Sequence, residues 1–115
     1  MRFMNWQTEI NKELEKAEQA RASKNEGQAR VCARRAAGVA IREYFLRRGL
    51  SAHTTSAYDL LLALLEMAEI PGEARQAAGY LTLRVNEEFK LPVTVNLVEE
   101  ARILGKSLLP GEFEG

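Results

Sequence analysis

Residues 25–49, NEGQARVCARRAAGVAIREYFLRRG, restrict what this chain can become more than any other stretch. Six arginines (Arg30, Arg34, Arg35, Arg42, Arg47 and Arg48) are threaded through the small residues Ala29, Cys32, Ala33, Ala36, Ala37, Gly38 and Ala40. Asn25 suits an N-cap, Glu26 suits a first turn, and the run closes on basic residues and Gly49. The pattern predicts one helix, capped by Asn25 and running to Arg48. At about 100° per residue, Ala29, Cys32, Ala33, Ala36, Val39 and Ala40 share a broad face, which Ile41 and Tyr44 extend. Arg35 and Arg42 fall on the opposite side. Small side chains let a neighbouring helix approach closely. The arginines then need partners: carboxylates, another subunit or a phosphate.

The rest of the chain also reads as helix. Trp6, Ile10, Leu14 and Ala17 recur at helical spacing and form one stripe of an amphipathic first helix. Thr55 or Ser56 is expected to cap a third helix, Ala57 to Glu69, apolar on most of its circumference and therefore expected at the centre of the core. Pro71-Gly72 is expected to end it. A fourth helix is expected from Glu73 to Phe89, with Ala74, Ala77, Ala78, Leu81 and Val85 as its inner stripe and Leu91-Pro92 as its break. A fifth is expected from Val95 to Leu109, capped near Thr94 or Asn96, with Leu97, Val98, Ala101, Leu104, Leu108 and Leu109 inward. Short connections favour antiparallel neighbours. The expectation is an all-α, single-domain antiparallel bundle of four to five helices over residues 1–109. Residues 110–115 read as a flexible C-terminal tail.

The chain's 16 Lys/Arg and 16 Asp/Glu balance, but unevenly. Residues 1–50 carry eleven basic against six acidic side chains, and residues 51–115 five against ten. Two readings follow. The halves neutralise one another, within the fold or across a dimer, or a basic face is left for nucleic acid. The balanced total favours the first, because nucleic-acid binders tend to high net positive charge. Cys32 stands alone among alanines and reads as a small buried apolar residue. The N-terminus has no apolar core of signal-peptide length, and the longest apolar run, Leu60 to Leu65, is far short of a membrane span. A soluble, cytoplasmic protein without membrane contact is expected.

Catalytic signatures are scarce. The sequence has no glycine-rich phosphate loop, no Cys/His metal spacing and no His–carboxylate pair on a helix face, so no metal and no cofactor is expected. Glu87–Glu88 and Glu99–Glu100 are adjacent pairs whose members diverge on a helix and read as solvated. Tyr44, Tyr58 and Tyr80 read as packing at core edges rather than as base-stacking rings. His53 is the single histidine and follows Arg47 and Arg48. An imidazole with a nearby arginine suits a metal-independent ribonuclease, the first moving protons and the second stabilising the transition-state charge. A solvent-exposed loop histidine is the simpler reading, since no orienting partner for the ring is evident.

Several segments together resemble the HEPN domain family. ARVCARRAAGVAIREYFLRRG resembles its long alanine-rich second helix with a glycine turn, and AYDLLLALLEMAEIP the short helix that follows, with Tyr58-Asp59-Leu60 where members show a small polar pair before a leucine run. LRVNEEFKLPV resembles the exit of the fourth helix and NLVEEARILGKSLL the last helix. The resemblance spans about residues 6–109. It implies a mostly antiparallel bundle that commonly dimerises. Many members are ribonucleases or toxins with an arginine followed shortly by a histidine at the start of a late helix. Others lack catalysis and pair with minimal nucleotidyltransferases. Here Arg84 and Arg102 are not followed by a histidine. Arg47 and Arg48 precede His53 by suitable intervals, but after the second helix. The expectation is a non-enzymatic, homodimeric module binding a partner such as a nucleotidyltransferase in a toxin–antitoxin-type pair. The alternative is RNA or nucleotide binding through Arg30, Arg34, Arg35, Arg42, Arg47 and Arg48, with a ribonuclease using His53 and Arg47 or Arg48 ranked below it.

Overall fold

Asn5 opens the first helix: its side chain accepts from the Thr8 amide, and α1 runs Trp6–Ala22. The expected stripe of Trp6, Ile10, Leu14 and Ala17 is buried, and Ala20 continues it. The computed structural model describes residues 5–51, 54–84 and 95–112. Among them lie α2 (Glu26–Arg47), α3 (Ala57–Leu65), α4 (Gly72–Leu81) and α5 (Leu97–Leu108), and no strand. The architecture is an all-α antiparallel bundle.

The α1–α2 turn is a Schellman motif. The Lys24 amide donates to the Arg21 carbonyl at 2.9 Å and the Asn25 amide to that of Ala20 at 2.7 Å. Lys24 takes the left-handed position, φ 62°. Asn25 then caps α2 as expected, accepting from the Gln28 amide. The far end of α2 repeats the motif with Gly49 at φ 70°, Leu50 donating to the Phe45 carbonyl and Gly49 to that of Leu46.

The central helix is α2, not the apolar α3. It packs against α1, α3 and α5 and buries Ala29, Cys32, Ala33, Ala36, Ala37, Gly38, Ala40, Ile41, Tyr44 and Phe45. The small-residue face therefore meets helices of its own chain. α3 packs on α2 and α4 and buries only Leu60, Leu61 and Leu64, while Leu62 is exposed.

Two helices are shorter than periodicity predicts. α3 stops at Leu65 rather than Glu69. The ring of Pro71 would clash with the Met67 carbonyl in a continued helix. Arg75 of α4 instead donates to the freed carbonyls of Leu65 (3.0 Å) and Met67 (2.6 Å). Pro71 is the N-cap position of α4, so Pro71-Gly72, expected to end α3, instead begins a helix after α3 has already stopped. α4 stops at Leu81, where Thr82 Oγ1 donates to the carbonyls of Ala78 and Gly79 and Arg34 takes those of Leu81 and Leu83. The inner stripe Ala74, Ala77, Ala78 and Leu81 is buried as expected, whereas Val85 and the Leu91-Pro92 break lie outside the described residues. In α5, Asn96 caps the helix and Leu97, Val98, Ala101, Leu104, Leu108 and Leu109 are all buried. After α5, Glu112 is held by Arg47, and its carbonyl accepts from Gln7 Nε2 at 2.6 Å.

Candidate functional site

Bordering the buried face of α2 is a ladder at spacings of three and four: Val31, Arg34, Arg35, the buried Gly38, Val39 and Arg42. These six residues line a groove of about 450 Å³, closed by Thr55, Ser56, Ala57 and Tyr58 at the start of α3 and by Glu13 of α1. A second cavity of about 390 Å³, lined by Gly27, Arg30, Val31, Arg34, Tyr58 and Arg84, shares Val31, Arg34 and Tyr58 with the first. The two form one channel along α2.

Gly38 sets the seat of α3. A Cβ at this position would lie 3.1 Å from Ala57 Cβ and 3.3 Å from Ala57 Cα, so the missing methyl lets the first turn of α3 rest directly on α2. Ser56 caps that turn, its hydroxyl accepting from the Asp59 amide at 3.2 Å, and its own amide donates to Thr54 Oγ1 at 3.0 Å. The positive end of the α3 dipole therefore opens on the groove.

The arginines in the groove have no carboxylate partner among the described residues: no carboxylate lies within ion-pair distance of Arg30, Arg34, Arg35, Arg42 or Arg84. Among the described residues, no acid of residues 51–115 pairs with these arginines, and Glu87, Glu88 and Glu114 lie outside the described residues. Arg34 is half-buried, and its Nε and Nη2 donate to the Leu81 and Leu83 carbonyls at 2.7 Å each. Burial, then Arg30 and then Arg84, hold its pKa below the ordinary arginine value, against an opposing pull from Tyr58. The Arg84 guanidinium lies 4.6 Å from the Tyr58 ring centre. Among the described residues Glu13 is the one acid on the walls, with Oε1 buried without a hydrogen-bond partner and Oε2 4.0 Å from Lys16 Nζ.

No protein-family model, no curated protein and no solved structure matches this chain. The site therefore has to be read from its own geometry. Of the six arginines singled out in the sequence, Arg30, Arg34, Arg35 and Arg42 come together on the channel. Arg47 and Arg48 do not line it. Arg47 pairs with Glu43 at 3.1 Å and with Glu112, and its guanidinium lies 5.7 Å from the Trp6 ring centre. Those carboxylates hold its pKa above the ordinary value. Arg48 lies over the Tyr44 ring at 4.5 Å. His53 lies outside the described residues. Among the described residues, no His, Cys, Asp or Glu cluster suits a metal ion. Cys32 is buried, with the Gln28 amide 3.4 Å from its sulfur.

Sequence reading missed Tyr58, Arg84 and Glu13. The ladder of α2 was visible in the spacing, but its walls come from α1, α3 and the exit of α4. Nothing local to those segments marks them as neighbours of the arginines.

Proposed function

We propose that this chain is a non-enzymatic, HEPN-like helical module that binds a phosphate-bearing ligand, an RNA or a nucleotide, in the α2 channel. The observation that carries the reading is the gathering of Arg30, Arg34, Arg35, Arg42 and Arg84 on one concave surface with no ion-paired carboxylate among the described residues. Like charges held together in a half-buried groove repel, and an anion relieves that repulsion. Guanidinium groups suit phosphate because their planar fork donates in pairs. The first turn of α3 adds backbone donors and a favourable dipole. Val31 and Val39 make the floor partly apolar, which lowers the local dielectric and strengthens each ionic contact.

Fluorescence anisotropy with a labelled octauridylate, run from 50 to 300 mM salt, tests the reading. With about four phosphates neutralised, the logarithm of affinity should fall with that of salt with a slope of roughly −3. The R35A/R42A double variant should reduce that slope by about one to two units, and R48A should leave it unchanged. Absence of binding at low salt, or binding insensitive to salt, overturns the reading.

A second reading is a homodimer that pairs with a minimal nucleotidyltransferase, as the family resemblance implies. It draws support from Leu46, Leu50 and Leu62, which expose large apolar side chains. A monomer in sedimentation at micromolar concentration counts against the dimer, and failure to co-purify with a co-expressed nucleotidyltransferase counts against the partner. Among the described residues, no helix is long and apolar enough to cross a membrane. A cytoplasmic setting fits a phosphate ligand and a single buried thiol.

A further inference from the structure

The channel is longer than a single phosphate requires, and its walls are chemically uneven. Arg30 and Arg42 are twelve residues apart on one helix, which places their Cα atoms about 18 Å apart. A stacked strand advances about 3.4 Å per nucleotide, so that length matches about five nucleotides, and fewer if the strand is extended. The channel floor is a single helix flanked by α1 and the first turn of α3. Bases are free to stack on side chains in a single strand, whereas in a duplex they are stacked and paired within the helix. At the junction of the two cavities stands Tyr58, the one aromatic ring on the walls among the described residues, with the Arg84 guanidinium 4.6 Å from its centre. Arg84 is exposed and lines the second cavity together with Tyr58.

We infer that Tyr58 and Arg84 form a base-stacking subsite, and that the ligand is a single-stranded segment whose base extends the Tyr58–Arg84 stack while its phosphates follow the arginines of α2. The inference rests on the anion-channel reading above and adds a requirement that reading does not make: the ligand must carry planar bases. Guanidinium planes and tyrosine rings both stack on any base, so the subsite selects for bases without selecting a sequence. Stacking takes bases of either sugar, so RNA and DNA strands of equal length are both expected to bind.

The test compares ligands that differ only in their bases. An eight-unit abasic strand keeps the phosphate spacing of octauridylate and octathymidylate and removes the rings. Each octanucleotide should bind about tenfold or more tighter than the abasic strand. Tyr58→Leu should erase that difference and leave abasic-strand affinity within about twofold, whereas Arg84→Gln, which also removes a charge from the channel, should erase the difference and weaken abasic-strand binding as well. Arg84 is exposed, so R84Q keeps the test valid if Y58L impairs folding, and circular dichroism checks both variants. Equal binding of abasic and base-bearing strands, or equal binding of an eight-base-pair duplex, overturns the subsite and leaves the anion channel standing. Failure of every strand, abasic included, at low salt overturns the anion channel itself.

Discussion

At the scale of single residues, one side-chain type does different work according to what it reaches. Arg34 and Arg75 each cap the C-terminal carbonyls of another part of the fold, while Arg35 and Arg42 reach no carbonyl or carboxylate among the described residues. Hydrogen bonds from a charged donor contribute about 1.5–3 kcal/mol each when desolvated, and Arg34 is only half-buried. Arg34→Ala should therefore lower the unfolding free energy by about 2 kcal/mol in urea denaturation, with two carbonyls left without their donor. Arg35→Ala should change it by less than about 0.5 kcal/mol. Equal losses for the two variants would refute this division. Arg34→Lys should recover only part of the loss, because one ammonium cannot present the two-pronged fork that meets Leu81 and Leu83.

At the scale of elements, α1 and α2 end in the same motif with different residues at its left-handed position. Lys24 has φ 62° and Gly49 has φ 70°. A side chain in that region costs roughly 1–2 kcal/mol, partly offset by the extra freedom that glycine has in the unfolded chain. Lys24→Gly should thus stabilise the fold by about 0.5 kcal/mol, and Gly49→Ala should destabilise it by about 1 kcal/mol. Thermal melts of the two variants should move in opposite directions, and a shared direction would contradict the argument. The ends of α2 were legible in the sequence because Asn25, Glu26 and Gly49 are local signals. The stripes of α1 and α5 were legible because periodicity is local too. The start of α3 at Ala57, capped by Ser56, was legible for the same reason; the C-terminal ends of α3 and α4 were not, because Arg75 and Arg34 hold them from other parts of the chain. The same limit hid half of the channel: its α2 floor has a helical period, but Tyr58 and Arg84 join it only through the seat at Gly38 and the capped exit of α4.

At the scale of the whole molecule, the uneven charge of the sequence becomes a polarity of the surface. Arginines gather on α2, while Glu66, Glu69 and Glu73 lie exposed around the α3–α4 connection. Only two ion pairs among the described residues join the two halves, Arg47–Glu112 and Arg102–Glu18. The first holds the segment after α5 against α1 and α2, beside Trp6, the single tryptophan. Arg47 holds the Glu112 carboxyl below the ordinary glutamate range. A carboxylate lowered in the folded state contributes its full stabilisation above its unfolded value of about 4.3, and loses it as pH falls through the lower folded value. Arg47, raised rather than lowered, keeps its charge throughout. Tryptophan emission should therefore hold steady from neutral pH down to about 4.3 and change only in more acidic solution, and Glu112→Gln should abolish that acid step. An unchanged step in the variant would assign it elsewhere. The contacts among Gln7, Arg47 and Glu112 have a topological consequence. The last described residue touches the second residue of the first helix, so the helices follow one another in a closed circuit. A short linker would join residue 112 to residue 5, and the circuit could then be opened at the exposed connection between α3 and α4, giving a rearranged chain whose arginine channel is untouched.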